Sequence, residues 1–182
     1  MLLFAALAPV SLMALPFAAL LVAARPGSWR EWLAAALAGG VGTALLLLPQ
    51  RGVLDGVSRA WIVLVSVAFA ATAKLRPGPF RVLALRACLY AAAAVAVLAP
   101  AAAGPGVWQE VQWEATRDAS RSVRYAVEVA PALYPAFEPA VRLVAAGWVV
   151  WLLLATLAGL ALAWRGHALV ARAPLGAAAA PS

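Results

Sequence analysis

The chain has 182 residues, of which 66% are hydrophobic and only 12% charged, with a mean hydropathy of +0.93. Soluble domains are ordinarily about half apolar, and one of this length could not bury so much hydrophobic surface, so lipid must cover part of it. The formal charge of +7 does not point to nucleic acid, because the arginines sit at the ends of apolar runs, where membrane topology places them.

Thirteen of the fourteen basic residues are arginine, Lys74 being the exception, and alanine and glycine abound, as in proteins read from GC-rich bacterial genes. The single cysteine, Cys88, falls inside an apolar run. It allows no intramolecular disulfide and no thiolate metal cluster, and reads as a small buried hydrophobe.

The pattern predicts an all-α, polytopic membrane bundle of about five spans, forming a single domain over residues 1–172. The first, 2–24, has 23 residues without a charge, about 34 Å of helix against a hydrocarbon core of about 30 Å. It reads as a retained span rather than a cleaved signal, since no basic segment precedes it. Pro9 and Pro16 predict a kink or a partly unwound segment.

A short polar link at 25–31 leads to the second span, 32–49. Here Ala35, Gly39 and Thr43 recur at every fourth position, and small residues at that spacing let helix backbones approach closely. The third span, 55–74, has its uninterrupted apolar run only from Ala60 to Ala73. It crosses if Arg59 and Lys74 snorkel at its ends or if the helix begins near Val53. Pro77-Gly78-Pro79 then forces a tight connection, so the third and fourth spans should form an antiparallel hairpin. The fourth span covers 82–103. Arg86, near its start, is expected to snorkel to the interface and is the charged residue of most functional interest there.

Residues 108–130 stand apart. At about 100° per residue, Glu110, Glu114, Arg117, Arg121, Arg124 and Glu128 fall on one narrow face. Trp108, Ala115, Ala119, Val123, Ala126 and Ala130 lie opposite. The pairs Glu114/Arg117, Asp118/Arg121 and Arg124/Glu128 each add a few tenths of a kcal/mol to such a helix. This is an extramembrane amphipathic helix ended by Pro131. Its alanine-rich face and mixed charge suit packing on protein better than insertion among lipid headgroups, as a lid or strut over the outer ends of the spans. A solvated connector is the alternative.

The fifth span, 141–164, repeats the small-residue spacing at Ala155, Gly159 and Ala163, and Trp164 beside Arg165 looks like an interfacial anchor. The tail, 173–182, is low in complexity and expected to be disordered. With the N-terminus outside, the inner segments carry eight basic residues (Arg25, Arg30, Lys74, Arg76, Arg81, Arg86, Arg165 and Arg172), against Arg51 and Arg59 in the short outer loop. The positive-inside rule thus predicts an outer N-terminus and a cytoplasmic C-terminus.

Catalytic readings find little to stand on. The segment Leu54-Asp55-Gly56-Val57-Ser58-Arg59-Ala60 begins like the signature of membrane CDP-alcohol phosphotransferases, but that chemistry needs several aspartates on facing helix turns to hold divalent metal. Here no aspartate follows until Asp118. A metalloprotease or serine protease needs a histidine within the bundle, and His167 falls in the expected cytoplasmic tail. Proton pumping is disfavoured because no Asp, Glu or His lies in the interior of an expected span. No catalytic residue, cofactor or metal ligand is expected.

The layout as a whole resembles the YybS-like family of bacterial polytopic membrane proteins. The resemblance is carried by the proline-containing first span, the basic loop at 25–30, the second span ending in Leu46-Leu47-Leu48-Pro49-Gln50, the long charged helix before Phe137-Glu138-Pro139, and the last span running into Trp164-Arg165-Gly166-His167. It implies a bacterial inner-membrane protein, with a likeness to the substrate-binding components of vitamin transporters. Two functions stay open. One is a small-solute-binding or transport-type component whose energy comes from a partner; the other is a structural or assembly subunit that docks on further membrane proteins through its small-residue stripes. A partly polar pocket beneath the charged helix would favour the first, and exposed grooves at Gly39 and Gly159 the second.

Overall fold

The computed structural model describes residues 2–129 and 134–171. The expected helix stop at Pro131, Ala130 and the expected disordered tail lie outside these residues. Seven α-helices and no strand are present among them: α1 (Leu2–Ala23), α2 (Trp29–Leu46), α3 (Val53–Leu75), α4 (Phe80–Ala103), α5 (Val107–Val129), α6 (Tyr134–Ala146) and α7 (Trp148–Val170). Three of them, α3, α4 and α7, are long and apolar enough to cross a membrane, and α1 adds the shorter apolar stretch Val10–Ala23.

Helix α1 runs unbroken through Pro9 and Pro16, so neither proline unwinds it; Pro16 is fully buried. Neighbouring helices can offset one missing backbone hydrogen bond where no water is present to do so. Helix α2 begins three residues before the expected span because Ser28 and Glu31 form a capping box. Ser28 Oγ accepts from Glu31 N at 3.4 Å, and Glu31 Oε2 accepts from Ser28 N at 3.3 Å and from Gly27 N at 2.7 Å. It stops at Leu46, short of the expected Pro49. With Arg30 and Glu31 in its first turn, its apolar part is shorter than a full crossing requires.

The marginal third span resolves in favour of its longer form. Helix α3 begins at Val53 and has 23 residues, about 34 Å. Its early start is made possible by a charge network. Asp55 and Arg59 form a two-contact ion pair, Arg59 Nη2 to Asp55 Oδ2 at 2.8 Å and Nε to Oδ1 at 3.0 Å, and Asp55 also accepts from Arg51 N at 3.1 Å. Arg59 Nη1 donates to the carbonyls of Leu46 and Leu48, and Nη2 to that of Pro49 at 3.3 Å. One guanidinium therefore satisfies the last carbonyl of α2 and two in the link that follows, and binds them to the start of α3. This is the role of the phosphotransferase-like segment.

The Pro77-Gly78-Pro79 turn produces the expected hairpin, with α3 and α4 packed along one another. Close contacts set the direction of the rest. Gly42 lies against Leu15 and Gly39 against Ala18, so α1 and α2 are antiparallel; Gly159 lies against Leu12 and Gly166 against Phe17, so α1 and α7 are parallel. Helix α3 is central, touching α1, α4 and α5. One core joins Leu12 and Leu20 of α1, Val65 and Phe69 of α3, Ala87 and Ala91 of α4, Val107 and Val111 of α5 and Leu160 of α7. Within it Trp61 Nε1 donates to Thr156 Oγ1 at 2.9 Å, tying α3 to α7. Buried hydroxyls are satisfied locally, Ser66 donating to Ile62 O and Thr156 to Leu152 O. The outer faces of α2, α4 and α7 expose Leu37, Val41, Leu85, Leu89, Val97, Val150 and Leu154 among others, a surface fit for lipid and not for water.

The expected fifth span is corrected at its start. Residues 141–146 belong to α6, and α7 begins at Trp148 because the chain turns at Gly147, whose carbonyl accepts from Trp151 N at 3.1 Å. A Cβ at Gly147 would come within 3.0 Å of Leu143 O. Helix α7 then continues past Trp164 to Val170. Trp164, expected as an interfacial anchor, packs on the core, edge-on to Phe69 at 6.0 Å and beside Phe80 at 6.3 Å.

Candidate functional site

The expected amphipathic helix is α5, and its charge pairing is present at Asp118/Arg121 (3.4 Å) and Arg124/Glu128 (2.7 Å). Its buried side is rotated from expectation. Val107, Val111, Ala115 and Ala119 are buried, whereas Trp108 is 39% exposed. Steps of four residues advance about 40° around a helix, so a stripe that begins on Val107 brings position 114 to its margin. Glu114 therefore does not pair with Arg117. Its carboxylate accepts from Leu54 N at 2.8 Å and lies against Gly52, while Arg117 stacks on Trp113 at 4.9 Å.

The contact between Glu114 and α3 is an N-cap supplied from another helix. Gly52 precedes α3 with φ +156°, has no side chain to cap with, and leaves room for the carboxylate. The negative charge meets the positive end of the α3 dipole and one of its orphan N–H groups. Helix α5 is thereby fastened over the mouth of the α3/α4 hairpin.

Beneath it lies a cavity of about 590 Å³, open on one side. Its α3 wall is Gly52, Val53, Gly56, Val57, Ala60 and Leu64, and its α4 wall is Val95, Leu98, Ala99, Ala102 and Ala103. Val107 closes one end, where Gln50, Glu110 and Glu114 supply the polar groups. The space lies where Gly56 and Ala60, four residues apart on α3, face Ala99, Ala102 and Ala103 of α4. That spacing is present in the sequence but is overshadowed there by the stripes on the second and fifth spans. A volume of this size, apolar with a few polar groups at one end, is typical of small-molecule sites.

The singled-out small residues lie elsewhere, at contacts internal to the chain. Ala35 is buried, Gly39 faces α1 with Ala18 Cβ 3.7 Å from where its own Cβ would be, and Thr43 is exposed. Gly42, where a Cβ would meet Leu15 at 2.5 Å, is the close contact in that turn. A 35–39–42 stripe follows the helical period better than strict steps of four. On α7, Ala155 packs partly buried on the core, Ala163 is buried, and Gly159 sits where a Cβ would lie 2.7 Å from Leu12 O.

One further expectation changes. Cys88 is buried toward the core as expected, and Arg86 is half-buried, at the end of α4 away from the cavity. His167, expected in a tail, is in the last turn of α7, 5% exposed and stacked on Trp164 at 6.5 Å, with no hydrogen-bond partner at Nε2. Glu31, equally buried, is near enough for its charge to act on the imidazole. A histidine therefore lies within an apolar helix, because α7 extends beyond the expected boundary. Among the described residues, no three His, Cys, Asp or Glu side chains are grouped to hold a metal ion. No family model, curated protein or solved structure matches the chain.

Proposed function

We propose that this is a multi-pass bacterial inner-membrane protein that binds a small solute, without catalytic machinery of its own, in the cavity between α3, α4 and α5. The observation that carries the reading is that α5, a strongly amphipathic helix, roofs a largely apolar cavity with carboxylates at its mouth. The competing reading, an assembly subunit that docks through small-residue stripes, loses its main support, since Ala35, Gly39, Gly159 and Ala163 are used within the chain.

In this proposal α1, α2, α3, α4 and α7 all cross, with α1 and α2 completing their spans against the other three. Arg25, Arg30, Lys74, Arg76, Arg81 and Arg165 gather at one end of the bundle, which by the positive-inside rule would be cytoplasmic, with the N-terminus and α5 outside. Directional movement of the solute would draw its energy from a partner, because no phosphate-binding motif is present in the sequence. Native mass spectrometry of the protein extracted in mild detergent tests the reading. A retained small molecule, lost when Ala99→Trp fills the cavity, is expected; constant co-purification of another membrane complex with no bound solute would refute it.

A further inference from the structure

The solute reading leaves the chemical class of the solute open, and the cavity carries an asymmetry that bears on it. Its two long walls are aliphatic: Val57, Leu64, Val95 and Ala99 offer no hydrogen-bonding side chain over most of its length. Such walls accept a hydrocarbon body and reject a solute that is polar throughout, whose groups would be desolvated without compensation.

The polar end carries formal negative charge, and the two carboxylates there are in different states of engagement. Glu114 is committed to Leu54 N and the start of α3. Glu110, also at the cavity lining, has no ion-pair partner among the described residues. It stands in the first turn of α5, where its own helix dipole favours the negative charge but does not neutralise it. No Lys or Arg is part of the lining. Arg59 is paired with Asp55, Arg117 stacks on Trp113, and the exposed Arg51 is not part of the lining.

We propose that the cavity binds a diffusible amphiphilic cation, its hydrocarbon body between α3 and α4 and its ammonium group facing the Glu110 carboxylate. This rests on the solute-binding reading above and adds the ligand class to it. Charge complementarity selects the head and the aliphatic walls select the body.

The test uses three probes that share one body and differ in the head: 4-phenylbutylamine, 4-phenylbutanol and 4-phenylbutyrate. Binding to the full chain in phosphatidylcholine nanodiscs is measured by equilibrium dialysis. The amine is expected to bind at least about tenfold more tightly than the alcohol, equivalent to about 1.4 kcal/mol, and the carboxylate most weakly. Glu110→Gln should bring the amine down to the level of the alcohol; the side chain is exposed, so the fold tolerates the change. Ala99→Trp should abolish binding of all three. Equal affinity for amine and alcohol would overturn the cation assignment while leaving the cavity a solute site. No binding of any probe, with no solute found in the native protein, would overturn both readings. Loss of amine binding when phosphatidylethanolamine is added to the discs would assign the cavity to an amine-headed lipid and overturn the diffusible ligand.

Discussion

Replacing Gly52 by alanine should unfasten α5 from the bundle. The new Cβ would lie 2.3 and 2.5 Å from the two carboxylate oxygens of Glu114, so the carboxylate must leave and Leu54 N loses its acceptor. Loss of an N-cap of this kind costs about 0.5–2 kcal/mol. The backbone at φ +156°, ψ −175° is in a region that only glycine adopts freely, which adds about 1–3 kcal/mol. The two costs fall on different observables. The cap term lowers the free energy for lifting α5, whereas the backbone strain persists with α5 lifted and weakens the link between α2 and α3. Limited trypsin cleavage after Arg117 and Arg121 reads the first, provided opening is fast relative to cleavage. It should accelerate roughly 2- to 30-fold. Thermal unfolding in detergent reads the sum. Glu114→Ala serves as the matched control, with the same acceleration of cleavage but a smaller loss of thermal stability. Cleavage unchanged in both variants would refute the idea that this contact holds α5 in place.

Arg59→Ala should destabilise the fold by about 3–5 kcal/mol, because it strands the buried Asp55 charge and uncovers the last carbonyl of α2. The double variant Asp55→Ala/Arg59→Ala should lose less than the two single losses added together, which a double-mutant cycle of chemical unfolding measures. Gly159→Ala should cost about 1–3 kcal/mol by forcing α7 away from the Leu12 backbone, seen as a lower melting temperature in detergent. Trp61→Phe keeps most of the apolar contact and removes the bond to Thr156, so a loss of about 0.5–1.5 kcal/mol is expected in the same assay. Ser28→Ala removes half of the α2 capping box and should cost about 1 kcal/mol.

The all-helical, lipid-facing character was legible because composition and run length reflect the whole chain at once. Helix α5 was legible because charges at spacings of three and four have one helical explanation. The orientation of α5 was not. Whether Val107 or Trp108 turns inward depends on what the helix meets, and its partner Gly52 is far away in sequence. The start of α7 was hidden because Leu143 to Ala146 runs into the span beyond it without a charge, and hydropathy does not register a turn at Gly147. The cavity was hidden for a related reason. Small residues at four-residue spacing mean close packing when the facing helix closes in and empty space when it does not, so Gly39 and Gly56 look alike until α1 and α4 are placed against them.

The backbone-level contact between Gly159 and Leu12 has a consequence for synthesis. Helices α1 and α7 leave the ribosome far apart in time, yet they meet at backbone level in the finished bundle. Until α7 is inserted, the α1 face around Leu12 must stay among lipids or be shielded by an insertion factor. Chains arrested before α7 should therefore be open to degradation although most of their helices are already in the bilayer. Because loop closure over so long a stretch is entropically slow, bundle completion becomes a late step in biogenesis. A side chain at position 159 would act there first, delaying closure before it altered the finished protein.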